Sequence, residues 1–190
     1  MSSYLVAPDA THTPRFTVRS YQPGDGPALQ EATVASYDHL APWMPWATTE
    51  QTVEQAEVLC RQFRGRYLLA TDFVLGVFAP DGRLLGGCGY HLREGPLESR
   101  CAEIGMWIRA DQASKGLGTA VLVELLDWGF TAWPWERLAW RCRAENVASR
   151  RCAEKAGMVL EGVHRHQFSE GFGSRRDTAV YAALRDGHAR

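Results

Sequence analysis

The 190-residue chain has no apolar run approaching the roughly 18 residues of a membrane helix, and its polar start, MSSYLVAPDATHTPRF, lacks a basic segment followed by an apolar one. Those absences argue against a spanning helix and a secretory leader, and the expectation is a cytoplasmic protein without a membrane partner. Positive charge is not in excess either. The 21 basic and 22 acidic residues leave a net charge of −1, so direct nucleic-acid binding is not expected and any polyanion contact must be local. No CxxC pair occurs, and the odd number of cysteines, Cys60, Cys88, Cys101, Cys142 and Cys152, cannot all pair within one chain. They read as buried thiols; a catalytic cysteine is the sharper alternative, but none sits in a nucleophile motif. His164 and His166 alternate on one face of an expected strand as half of a metal site, yet no third ligand lies at a useful spacing, so no metal is expected. Repeats and low-complexity tracts are absent too. What remains is a 45% hydrophobic chain of single-domain size, expected as one domain over residues 16–185 with an N-terminal extension (1–15) and a C-terminal tail (186–190).

Periodicity and punctuation give the order of elements. Residues 16–21 alternate as a strand, PGDGP (23–27) breaks the chain, and a helical stretch runs towards Asp38. HLAPWMPW (39–46), with two prolines and two tryptophans, reads as a loop carrying large aromatics. Thr48 and Thr49 are placed to cap a second helix from about Glu50 with Val53, Ala56, Leu59, Cys60 and Phe63 on one face. Residues 73–78 and 84–91 form a hairpin around APDGR, a strand follows at 101–108, and a helix after Gly116 carries Leu117, Val121, Leu125 and Trp128 on one stripe. A strand at 137–143, a short helix from Asn146 to Ala156 stopped by Gly157, and strands at 159–168 and 177–184 around a glycine-rich loop (169–174) complete the chain.

The junction between the strand at 101–108 and the next helix carries the sharpest chemical signal. In KGLGT (115–119) two glycines let backbone approach a ligand, and the unpaired N–H groups of a first helical turn can hold an anion such as a pyrophosphate. Neither GxxxxGK[ST] nor a Rossmann GxGxxG after an early strand is present.

The order β-α-α-β-β-β-α-β-α-β-β, together with AEIGMWI, KGLGTA, ENVASRRCAEKAGM and LEGV, resembles the GNAT family of N-acetyltransferases. Within it the chain is similar to the ribosomal-protein-alanine N-acetyltransferase (RimJ/RimL-like) group, whose front-end segment HLAPWMPW resembles. The resemblance covers residues 16–184. It implies an α/β (α+β) fold with a mixed, mostly antiparallel seven-stranded sheet flanked by about four helices. It implies acetyl-CoA as co-substrate, its pyrophosphate held by the amides of Lys115, Gly116, Leu117, Gly118 and Thr119 and its pantetheine arm along the main chain of Trp107, Ile108 and Arg109. The Lys115 side chain either adds a cation or stays solvated. One departure is visible. The family pattern usually has glutamine or arginine three residues before the first glycine, where this chain has Ala113, with Gln112 one residue earlier.

For the chemistry, Glu103 shares a strand face with Gly105 and Trp107 and is either a general base or a salt-bridged structural carboxylate. Asn146 caps the short helix and, by the resemblance, approaches the coenzyme with Ser149; Ser149 would hydrogen-bond the sulfur, as acid or for orientation only. Many family members use a tyrosine in this helix, at the position of Ala153 here. Arg150 and Arg151 either approach coenzyme phosphates or form a solvated face. Trp43, Trp46 and Tyr90 are the candidate acceptor wall, core packing being the equal alternative. The resulting expectation is direct acetyl transfer to a primary amine, on a protein or peptide N-terminus or on a small molecule, by a monomer or homodimer. A coenzyme A sensor without turnover is the non-enzymatic alternative.

Overall fold

The computed structural model describes residues 5–169 and 175–188. Among these residues, eight strands are hydrogen-bonded in the order β1-β2-β3-β4-β5-β6-β8-β7, with five α-helices. The sheet is mixed, β5 and β6 being its parallel pair. The chain divides into two compact units, one formed by Met1–His91 with Met106–Gly118, the other by Leu92–Gly105 with Thr119–Arg190.

The first unit holds β1 (Ala10–His12), β2 (Thr17–Ser20), β3 (Phe73–Phe78) and β4 (Leu84–His91), each antiparallel to the next, with the end of β5 (Cys101–Ile108). β1 is the eighth strand. It lies in the expected N-terminal extension, where three residues with only partial burial give almost no alternation to read. The helical stretch towards Asp38 is two helices, α1 (Gly26–Val34) and a four-residue α2 (Tyr37–Leu40), which raises the helix number from four to five.

Helix α3 (Val53–Leu68) starts later than expected. Its cap is Thr52, not Thr48 or Thr49: the Thr52 hydroxyl accepts from the Gln55 N–H while the Gln55 side chain accepts from the Thr52 N–H. The reciprocal pair satisfies two donors that a start at Glu50 would leave open. Ala56 and Cys60 of α3 then bury against Tyr21, Leu29, Ala32, Phe78 and Leu84. The helices approach closely because Gly26 has no side chain; a Cβ there would lie 2.7 Å from the Glu57 backbone. The Glu57 carboxylate accepts the N–H of Gly24 at 2.9 Å and of Gly26 at 3.2 Å, placing negative charge at the start of α1.

The second unit holds the start of β5, β6 (Arg137–Arg143), β7 (Val159–Ser169), β8 (Arg175–Leu184), α4 (Leu117–Thr131) from Thr119 onward, and α5 (Val147–Lys155). β5 pairs with β6 over Cys101–Ile104, and β8 lies antiparallel between β6 and β7. The expected stripe of α4 is buried along its length, from Leu117 through Val121, Leu122, Leu125 and Leu126 to Trp128. Beyond α4, the Arg185 guanidinium donates to the carbonyls of Phe130, Trp133 and Trp135. Gly157, at φ +85°, follows α5 and turns the chain into β7. The pairing of β7 with β8 shifts register between His164 and Phe168, and His166 adopts φ +53°. Simple alternation of His164 and His166 on one face is therefore lost. Residues 170–174 of the expected glycine-rich loop lie outside the described residues.

Candidate active site

The glycine turn has the conformation its composition calls for. Ser114 at φ +59° and Gly116 at φ +76° are left-handed, and α4 begins at the next residue, Leu117. A Cβ at Gly116 would meet nothing within 4 Å, so glycine is required there by the backbone angle alone. Lys115 and Gly116 are exposed, whereas the Leu117 side chain is buried. The first-turn N–H groups, including those of Gly118 and Thr119, have no intrahelical acceptor and carry the positive end of the helix dipole.

Before this turn, β5 lies close against β4. Ideal Cβ atoms at Gly86 and Gly87 would fall 2.3 Å from the Trp107 carbonyl oxygen and 2.3 Å from its indole nitrogen, so both positions exclude a side chain. The Trp107 ring packs on the core that contains Tyr21 and Leu84 and meets Trp46 edge to face at 5.9 Å. Ile108 is half-buried. The Arg109 N–H already donates to the Leu85 carbonyl at 2.9 Å. Its buried guanidinium binds both oxygens of Glu31 and lies 3.2 Å from Asp111, and hydrogen bonding from Arg109 holds the Glu31 carboxyl below its usual range. The Arg109 side chain is thus a structural tie between β5 and α1.

Of the three aromatic acceptor candidates, Trp46 is 49% exposed and Trp43 half-buried, while Tyr90 is 0% exposed. The structure brings Trp46 to Trp107 and leaves Tyr90 in the core of the first unit.

In the second unit Glu103 is 7% exposed and bound by arginine. Arg93 donates to its Oε1 at 2.6 Å, and Arg141 Nε lies 3.6 Å from Oε2. Arg141 also donates to Glu94 at 2.6 Å, and Arg137 lies 4.0 Å from the same carboxylate, so Glu94 and Glu103 share one cluster with three guanidiniums. A salt-bridged Glu103 is one of the two sequence readings, but its partners are not legible there, since Arg93 and Glu94 lie in a segment without periodicity.

Asn146 caps α5, its Oδ1 accepting the Ser149 N–H at 3.0 Å. The Ser149 hydroxyl in turn accepts a hydrogen bond from the Trp140 indole at 3.1 Å. Cys142, two residues along β6, hydrogen-bonds to both Ser149 and Trp140; burial pushes its thiol up, those bonds opposing the shift. Arg150 is engaged inside its own unit, donating to the Tyr181 hydroxyl at 3.2 Å and the Ala144 carbonyl at 3.3 Å, whereas Arg151 is exposed. Ala153 is buried, and Tyr181, which donates to Glu154 at 2.9 Å, has its ring in the core. Burial pushes the Cys60 thiol up to about 12 and raises Cys88 further, which makes both poor nucleophiles. Among the described residues no helix is long and apolar enough to cross a membrane.

Comparison with known proteins accounts for this combination. Residues 15–159 match the acetyltransferase (GNAT) domain. YdaF of Bacillus subtilis, named as a ribosomal N-acetyltransferase, is 26% identical over 171 residues, spanning 90% of this chain and 91% of YdaF. Among solved structures, RimJ of Mycobacterium smegmatis in complex with CoA-disulfide is 25% identical with a TM-score of 0.78, over 92% of this chain and 84% of RimJ. The ribosomal-protein-S5-alanine acetyltransferase of Vibrio fischeri has the same fold, with a TM-score of 0.81 at 18% identity over 95% of this chain and 99% of the other. The matched residues include the turn at Ser114–Gly116 and the Asn146-capped helix, and the chain belongs to the GNAT acetyltransferase family.

Proposed function

We propose that the protein transfers the acetyl group of acetyl-CoA directly to the α-amine of a protein or peptide N-terminus. The observation that carries the donor side is the exposed left-handed turn at Ser114 and Gly116 opening onto the N-terminus of α4. The amides of residues 115–119 would hold the pyrophosphate, and the backbone of Trp107 and Ile108 would run beside the pantetheine arm. The Arg109 N–H is already committed to Leu85. Lys115, exposed in the turn itself, would add a cation to the phosphate.

In the transfer, the amine nitrogen attacks the thioester carbonyl; the C–N bond forms, the C–S bond breaks, and the electron pair leaves on sulfur. The nitrogen loses one proton to water, and the sulfur receives one from the Ser149 hydroxyl, which is restored from solvent. The products are the amide and free CoA. A strong base is not needed for an α-amine: with a pKa of about 7.7–8.0, roughly one in five to ten is neutral at pH 7, against about one lysine in several thousand. That matches the condition of Glu103, whose lone pairs face two guanidiniums. We assign it an electrostatic role towards the incoming ammonium, with proton removal through water and much of the rate coming from alignment of amine and thioester.

The acceptor assignment rests on this chemistry and on the ribosomal name of YdaF, with Trp43 and Trp46 as the apolar wall for the peptide. Release of CoA thiol with acetyl-CoA and a panel of free N-terminal peptides tests it. Turnover is expected with peptides and not with α-acetylated controls. Turnover confined to polyamines, amino acids or amine-bearing antibiotics would transfer the reading to a small-molecule acetyltransferase.

A further inference from the structure

Beyond the cluster around Glu103, the same face of the second unit carries a differently charged area. Arg141 and Arg143 alternate onto one face of β6, the face from which Arg141 approaches Glu103. Arg143 pairs with Thr178 of β8 and Thr178 with His164 of β7, so the three side chains share that face, with Arg176 two residues before Thr178. Thr178 is buried, Arg143 and Arg176 are half-buried, and His164 is exposed. The strands β6, β7 and β8 contain two acidic residues, and neither lies among these. Glu161 accepts from Arg137, the first residue of β6, at 2.7 and 2.6 Å. Asp177 alternates away from Arg176 and Thr178, its Oδ1 accepting the His166 N–H at 2.8 Å. Arg143 and Arg176 already interact within the protein, but a guanidinium has five N–H donors, and one contact does not exhaust it.

The face is therefore divided. Near β5, Glu94 and Glu103 stand against Arg93, Arg137 and Arg141; near Thr178, guanidiniums stand without a carboxylate from these strands. An extended peptide whose α-ammonium lies at Glu103 meets the two areas in that order. Arg143 is four residues along β6 from Ala139, the partner of Glu103, a distance of about 13 Å that the third or fourth residue of the peptide reaches. We infer that the area formed by Arg143 and Arg176, with His164 and Thr178, selects acceptor peptides that carry aspartate or glutamate at the third or fourth position. The inference rests on the peptide acceptor and the role of Glu103 proposed above. An arginine fork matches a carboxylate in two parallel N–H···O bonds, and half-burial keeps such a pair from full screening. A lysine at the same position of the peptide would meet like charge. A nucleic-acid backbone suits the face less, because its neighbouring phosphates would fall on Glu94 and Glu103.

The test uses the full chain, acetyl-CoA and peptides of one sequence that differ only at the third and fourth positions, as Asp-Glu, Ala-Ala or Lys-Lys, with thiol release as the readout. From the acidic to the lysine peptide kcat/KM should fall by about five- to twentyfold, mostly through KM, and the ratio should shrink as NaCl is raised from about 0.05 to about 0.5 M. Arg143→Gln and Arg176→Gln should each reduce the ratio and together bring it to about one, while Arg143→Glu should turn the preference towards the lysine peptide, with CoA affinity in each variant within about twofold of the parent. A ratio near one in the parent, or a ratio that survives the double Gln variant, overturns the inference and leaves the peptide acceptor in place. Turnover of small amines with none of any peptide overturns the acceptor reading itself, and this inference with it.

Discussion

Glu103 and Ser149 lie in the same unit and are the two side chains best suited to proton chemistry, yet their surroundings are opposite. Glu103 is a nearly buried carboxylate whose oxygens are claimed by Arg93 and approached by Arg141. Ser149 is a hydroxyl whose oxygen accepts from the Trp140 indole and which lies beside the Cys142 thiol. The Glu103 oxygens face guanidinium donors, whereas the Ser149 oxygen accepts from a neutral indole. In the reaction proposed above, this contrast would put the protein's chemical contribution on the leaving thiol and leave the amine to its own basicity.

The largest expected effect lies on the donor side. Gly118→Trp puts an indole into the first turn of α4 and should lower CoA affinity by at least about 100-fold, measured by calorimetry; unchanged affinity would remove the amide cradle from the account. Next comes Ser149→Ala, which should reduce kcat by about ten- to a hundredfold with CoA affinity little changed, within the range of a lost proton donor. Glu103→Gln should do much less to catalysis, with kcat/KM for an N-terminal peptide falling by about threefold or less and its pH profile keeping its shape. A loss of the acidic limb of that profile would make Glu103 the base and erase the contrast. The same variant should lower Tm by about 2–4 °C for each kcal/mol lost, because Arg93 and Arg141 are left facing a neutral group.

The smallest effect is a pH dependence of stability. Hydrogen bonds from Arg109 and Arg137 hold Glu31 and Glu161 below their ordinary values; at Asp72 burial acts upward, but the His91 bond and charge outweigh it and the net shift is also downward. Depressed carboxyl pKa values give stability that is complete above the unfolded-state values of about 3.9–4.3 and is lost as pH falls through the lower folded-state values. Tm should therefore be flat from pH 7 to about 5 and fall below about 4, less steeply in Glu31→Gln. An equal fall in that variant would show that the Arg109 contact does not contribute.

Much of the scaffold was legible from the chain alone. The hairpin Phe73–Phe78 and Leu84–His91, the strands Cys101–Ile108 and Arg137–Arg143, and the buried stripe of α4 follow from alternation and helical spacing, which the packing here respects. The start of α3 was misread because three threonines precede it and only the one three residues before Gln55 completes a reciprocal cap. β1 and α2 escaped because three- and four-residue elements are held by pairing and packing instead of periodicity. The turn before α4 was legible because left-handed backbone favours glycine, as at Gly116. The partners of Glu103 and Ser149 were not, since Arg93, Arg141 and Trp140 come from segments remote in sequence and a single chain carries no mark of who meets whom.

The most direct test of the central claim is the release of free CoA from acetyl-CoA by the purified protein in the presence and absence of a peptide with a free N-terminus. The account predicts thiol release that depends on the peptide, matched mole for mole by α-acetylated peptide and reduced in Ser149→Ala. Binding of coenzyme A with no thiol release for any peptide or small amine would contradict it.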